Sequence, residues 1–150
     1  MRTARLITAT FGLAAWLSSG TLVSASSAQA LVYMPSCSGS EKVPAGSTVA
    51  VQTAWLAKTR AEVGEYKKAL KLTLTINGVA IANPASYWDD LYYSANDGGW
   101  EARWDYRAGK ITRGQAWALE MTWTLTKGVS DGWQRYPKGT STVDCTLLGS

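Results

Sequence analysis

Residues 98–109 read "GGWEARWDYRAG", and their alternation decides how the rest of the chain is read. Trp100, Ala102, Trp104 and Tyr106 fall on one side of a period of two; Glu101, Arg103, Asp105 and Arg107 fall on the other. A strand with that pattern carries three large aromatics on one face and a ladder of alternating charge on the opposite face. Trp100 and Trp104 then stand about 13 Å apart on the same face. That spacing suits a core layer and also a row of stacking platforms. The fully charged opposite face makes the aromatic face the buried one in an ordinary half-buried strand.

The neighbouring segments repeat the pattern. In "GSTVAVQTAWLAK" (46–58), Val49, Val51, Thr53 and Trp55 alternate. In "ALKLTLTING" (69–78), Leu70, Leu72, Leu74 and Ile76 face one way, and the segment ends in Asn77-Gly78, a type I′ hairpin signal. In "QAWALEMTWTLTK" (115–127), Trp117, Leu119, Met121, Trp123 and Leu125 alternate with smaller or polar residues. "GTSTVDCTLL" (139–148) sends Val143, Cys145 and Leu147 inward. "TRAEVGEYKKAL" (59–70) differs: Thr59-x-x-Glu62 is a capping box before good helix formers, with Gly64 in the middle. It reads either as one short helix or as a long twisted hairpin. The expectation is an all-β chain, an antiparallel β-sandwich of about seven strands.

The first thirty residues read as a signal peptide. Arg2 and Arg5 precede a largely apolar run from Leu6 to Val23, and Ala28-Gln29-Ala30 is a small-x-small cleavage site. Thr8, Thr10, Ser18, Ser19, Gly20 and Thr21 interrupt the run, which makes it a poor membrane anchor. Cleavage near Ala30 leaves residues 31–150 as one exported domain with no membrane span. Removing the two arginines lowers the net charge from +4 to +2, and no basic block remains. Nucleic acid is therefore not an expected partner. The two cysteines, Cys37 and Cys145, lie near the ends of the domain, and an oxidising compartment favours one disulfide joining the terminal regions.

The chain has no histidine, which removes the Ser-His-Asp and Cys-His arrangements and the commonest zinc ligand. Glycoside hydrolysis needs only two carboxylates, and Asp89, Asp90, Glu101 and Asp105 are the candidates. Glu101 and Asp105, flanked by Arg103 and Arg107, read as a solvated ladder instead. Asp89, Asp90, Asn96 and Asp97 lack the spacing of a calcium loop and read as a polar loop. No cofactor, no metal and no enzymatic activity are expected.

Beyond the leader, which takes Phe11 and Trp16, the chain has seven tryptophans, seven tyrosines and no phenylalanine. Trp and Tyr suit positions with one apolar and one wet end, as at interfaces; base composition of the genome is the bland alternative. Trp55, Trp117 and Trp123 share faces with Val, Leu and Met and are assigned to the core. The loops "SYWDDLYYSAND" (86–97) and "DGWQRYPKG" (131–139) bring Tyr87, Trp88, Tyr92, Tyr93, Trp133 and Tyr136 beside polar groups. Such aromatics form contact surfaces or fold down to plug the end of a sandwich. The candidate ligand-binding residues are Trp88, Tyr92, Tyr93, Trp133 and Tyr136, with Trp100 and Trp104.

The stretches "PAGSTVAVQ", "GKITRGQAWALEMTW" and "DGWQRYPKGTSTVDCTL" resemble Ig-like or fibronectin-type-III-like modules of bacterial secreted proteins, in the glycine-bounded turn Gly109-x-x-x-x-Gly114 before a long strand and in the proline- and glycine-bearing approach to the closing strand. The resemblance implies a non-enzymatic sandwich acting through extracellular protein contacts or as a structural piece of the cell surface. Polysaccharide-binding sandwiches offer the rival reading, by analogy of fold. Two geometries separate the two. A sugar binder presents two or more exposed, roughly coplanar rings, whereas a protein-contact module presents a mixed patch with rings edge-on.

Overall fold

The structure, a computed structural model, describes residues 28–150. The expected leader therefore lies outside the described residues except for Ala28, Gln29 and Ala30. The chain is built of strands β1 (Gln29–Tyr33), β2 (Gly39–Val43), β3 (Thr48–Ala57), β4 (Leu70–Ile76), β5 (Val79–Ala80), β6 (Tyr92–Ser94), β7 (Gly99–Lys110), β8 (Ala116–Leu125), β9 (Val129–Ser130), β10 (Arg135–Tyr136) and β11 (Gly139–Gly149), with one helix, α1 (Arg60–Ala69). Seven of these described strands are five residues or longer. One sheet has the order β1-β3-β7-β6 and the other β2-β11-β8-β4-β5, while β9 and β10 form a two-stranded ribbon. The two large sheets pack face to face.

Alternation supplies the faces between them. Val49, Val51 and Trp104 from the first sheet meet Leu72, Leu74, Leu119, Met121, Cys145 and Leu147 from the second. Trp104 is fully buried, as are Leu74, Leu119, Met121 and Leu147. Burying side chains of this kind contributes roughly 1.5–3 kcal/mol each before the entropy of ordering is charged against it. On the outer side of β7, the expected ladder is present: Glu101 meets Arg103 at 3.2 Å and Asp105 accepts from Gln52. The Asn77-Gly78 turn has φ of 51° and 78°, the left-handed pair that a type I′ hairpin needs, and it closes β4 onto β5.

The segment at 59–70, open between helix and hairpin, is the helix α1. Thr59 Oγ1 accepts from the Glu62 amide, and the Glu62 carboxylate accepts from the Thr59 amide. This reciprocal cap starts the helix, and one interior glycine, which costs about 1 kcal/mol, does not stop it because Val63, Tyr66 and Ala69 are buried against the sandwich.

The all-antiparallel expectation is corrected at two edges. β1 pairs with β3 in parallel, and β2 pairs with β11 in parallel. A single turn of 3-10 helix, Met34–Ser36, joins β1 to β2 and carries the chain from one sheet to the other. Pro35 fits there because that position needs no amide donor. Cys37 follows this turn and is bonded to Cys145 of β11, with a Cα–Cα separation of 5.7 Å. β1 begins at Gln29, so cleavage after Ala30 would remove the first two of its five residues.

Candidate functional site

Four elements meet at one end of the sandwich. β3 ends at Ala57, and Lys58 and Thr59 lead directly into α1. β7 begins there at Gly99, beside the short edge strand β6. The turn at 131–134 is tied on by a hydrogen bond from the Lys58 amide to the Asp131 carbonyl.

Asp131 shapes that turn. Its carboxylate accepts from the amides of Trp133 and Gln134, both at 2.7 Å, and from the Tyr136 hydroxyl at 2.7 Å. Burial pushes the carboxyl pKa up, but the bonds from Gln134, Tyr136 and Trp133 outweigh it and hold the group below its ordinary value. The folded state therefore binds this proton more weakly than the unfolded chain does. The stabilisation is complete above the ordinary carboxylate pKa, about 4, and is lost as pH falls through the lowered native value. Acid titration followed by tryptophan emission should accordingly show a red shift of Trp133 below about pH 4 and a flat signal between about pH 5 and 8. A transition centred near neutrality would contradict this role for Asp131.

Trp133 leaves this turn and lies across Gly99, in a close fit. A β-carbon on Gly99 would stand 2.7 Å from the Ala57 carbonyl oxygen, 3.0 Å from the tip of the Trp133 indole and 3.2 Å from Leu56 Cδ1. Gly99→Ala must displace backbone or indole. The expected loss is about 1–3 kcal/mol with a shifted Trp133 emission, measured by urea unfolding and fluorescence. A variant with unchanged stability and emission would show that Trp133 does not rest on this glycine.

On the face of β7 opposite to the one Trp133 covers, Tyr93 pairs with Trp100 across β6 and β7, edge to face at 5.6 Å and 67°. Trp100 is half-buried against Ala57, Val63 and Ala102. Trp133 and Tyr93 are 49% and 55% exposed. Each tryptophan carries a cation: Lys58 Nζ lies 5.6 Å from the Trp133 ring centre, and the Arg60 guanidinium lies 4.3 Å from that of Trp100. The end of the sandwich thus carries two aromatic–cation pairs, Lys58 with Trp133 on one face of the first sheet and Arg60 with Trp100 on the other.

The remaining candidates separate. Tyr92 points from β6 to the outer face of the first sheet, where its hydroxyl accepts from Arg103 at 2.7 Å. Desolvation and then the Glu101 carboxylate push its pKa up to about 12 against the pull of Arg103, so it is a neutral phenol at physiological pH. Trp88 and Tyr136 are half-buried in a second aromatic group. Trp55 stacks on Tyr66 at 3.9 Å, Tyr136 meets Trp55 edge-on at 4.9 Å, and Trp88 meets Tyr66 edge-on at 6.2 Å. Trp117 and Trp123 pack against the main core as half-buried residues.

Trp104 is withdrawn from the ligand-binding candidates. It has no exposed surface, and its indole N–H donates to the Pro84 carbonyl at 2.6 Å. Tyr87, from the same 84–87 turn, stands edge-on to it at 5.8 Å. This turn is the plug expected of some loop aromatics, and it closes Trp104 off from any ligand.

No local pattern in the sequence points to Lys58 and Arg60. Their relevance depends on the capping box, which starts α1 immediately after β3 and holds both cations over rings 40 and 75 residues further along the chain. Among the described residues, no helix is long and apolar enough to cross a membrane. Comparison with known proteins gives no match to any family model and none to a curated protein.

Proposed function

We propose that this chain is a non-enzymatic exported module of Ig-like architecture whose work is done by contact with other extracellular proteins through the Trp133–Tyr93–Trp100 end. The observation that carries the reading is the geometry of the rings at this end, where exposed Tyr93 stands edge-on to half-buried Trp100. Tyr93 and Trp100 stand at 67° to each other, and Trp100 and Trp133 are each approached by a cation. A flat sugar chain is recognised by coplanar open rings; a protein surface is met by a mixed patch in which aromatic and Arg side chains act as anchors.

The strand orders support the architectural part. β1-β3-β7-β6 and β11-β8-β4-β5 follow the same order as A-B-E-D and G-F-C-C′ in an immunoglobulin sandwich, with β2 added beside the last strand. Two departures accompany this likeness: β1 runs parallel to β3, and the disulfide joins the β1–β2 connection to β11 rather than strands B and F. The disulfide suits an oxidising compartment and so supports export. Of the four candidate carboxylates, Glu101 and Asp105 are engaged as a surface ladder, Glu101 with Arg103 and Asp105 with Gln52.

The test is retention on the immobilised, oxidised protein of the host's exported proteins and, separately, of a panel of insoluble and soluble polysaccharides. The reading expects a protein species retained by the parent and lost by Trp133→Ala/Tyr93→Ala, with the polysaccharides passing through. A polysaccharide retained by the parent and released by the same variant would replace it with the sugar-binding reading.

A further inference from the structure

We infer that the cleft beside β3 takes an extended, largely apolar peptide segment of a partner protein, which adds a strand to the open half of that edge. β1 lies along β3 only from Thr48 to Gln52, turns through Met34–Ser36, and the chain returns as β2 along β11 from Cys145 to Gly149. The Cys37–Cys145 bond holds the turn at that level. Among the described residues, β3 beyond Gln52 and β11 before Cys145 have no strand neighbour on this side of the sandwich. Even-numbered residues of β3 direct their backbone groups to this edge, as the bonds from the Thr48 amide to the Ala28 carbonyl and from the Lys58 amide to the Asp131 carbonyl show. The amides and carbonyls of Ala54 and Leu56 therefore face it without a strand to pair with. β5 and β6 are protected as edges by their shortness, and β2 by Glu41 and Lys42. The stretch from Thr53 to Ala57 has no charge, no proline and no bulge.

The cleft between the two open edges has a volume of about 460 Å³, within the range of clefts that hold ligands. Trp55, Tyr66, Trp123, Tyr136 and Val143 line it, Pro35 of the turn borders it, and none of its lining side chains is charged. A strand laid beside Ala54 and Leu56 sends alternate side chains into this cleft and the others along Tyr33 and Leu56 on the outer face. Both of its faces thus meet apolar surface. The open half of β11 offers the same backbone, but its outer face carries Thr140 and Thr142, bonded to Thr124 and Thr122, so β3 is the better edge for an apolar strand. Trp55 can be re-seated without breaking a hydrogen bond, because its indole N–H is buried with no partner. β1 and the 131–134 turn border the open stretch at its two ends. A single extended segment fits between them, whereas the edge of a second folded copy would meet both. None of Trp133, Tyr93 and Trp100 lines the cleft, so this contact is separate from the one proposed above.

The test uses the full oxidised protein and the acetylated, amidated peptide Lys-Thr-Leu-Thr-Leu-Thr-Lys, with two isomers N-methylated at two leucines or at two threonines. Calorimetry gives the affinity, and hydrogen exchange followed by NMR gives the amides covered. The expected result is binding that protects the Ala54 and Leu56 amides, with one isomer about tenfold or more weaker and the other close to the unmethylated peptide. The isomer that fails is the one whose methylated amides face β3. Ala54→Pro removes an edge-facing donor and leaves the β3–β7 ladder untouched, so it should weaken binding by a similar factor at unchanged thermal unfolding. Should that variant unfold, the two isomers still decide on the parent protein. Equal affinity of both isomers would overturn strand addition, and protection of Thr140 and Thr142 instead would overturn the choice of β3. Protection that grows with protein concentration in the absence of peptide would give the edge to a second copy. No binding of the peptide would overturn the inference outright.

Discussion

Replacing Cys37 and Cys145 together by alanine should lower the free energy of unfolding by about 4–5 kcal/mol. The bond closes a loop with a sequence separation of 108, and the chain-entropy account gives a cross-link of that span close to its largest stabilisation. Both half-cystines are 4% exposed and lie in the main core, so alanine, rather than serine, avoids burying an unpaired hydroxyl. The bond also fixes the point where the chain changes sheets, between β1 and β2, two five-residue strands at the sheet edges. Urea unfolding of the oxidised parent and the double variant measures the difference. A loss below about 1 kcal/mol would show that the N-terminal strands hold their places without it.

The second large effect is expected at Trp104. Trp104→Ala should cost about 3–5 kcal/mol, because it empties the largest fully buried side chain of the core and leaves the Pro84 carbonyl without its indole donor. Trp104→Phe separates the terms: most of the packing remains, and the loss should fall to about 1–3 kcal/mol for the unmet acceptor and the smaller ring. Trp133→Ala, at the exposed end, should stay under about 1 kcal/mol. If alanine at 104 cost no more than alanine at 133, Trp104 would not be a core residue and the 84–87 turn would not be its plug.

These two positions also show how far the sequence could be read. The strands with clean alternation, "LKLTLTI" and "WEARWDYR", were legible because one face of each is buried and a shift of one residue would expose the apolar set. β1 and β2 were not. "GSEKV" buries only Val43, and its place is set by parallel pairing with a strand more than a hundred residues away, which leaves no local signal. The same limit applies to the site. Tryptophan content marked Trp100, Trp104 and Trp133 as notable side chains, yet their fates differ through non-local neighbours. Pro84 and Tyr87 cover Trp104, while Gly99 and Lys58 hold Trp133 at the surface. Local pattern gives the face of a strand; it does not say what loop closes over it.

The most direct test of the central claim is site-specific photo-crosslinking in the presence of the host's exported proteins. A photo-reactive residue is placed at Ala61, exposed in the first turn of α1 beside Arg60, or at Thr142, exposed on β11 of the other sheet. The account predicts a crosslinked protein from position 61, lost when Trp133→Ala/Tyr93→Ala is added, and none from position 142. Crosslinking from 142 with none from 61 would place the contact surface on the opposite sheet and contradict it.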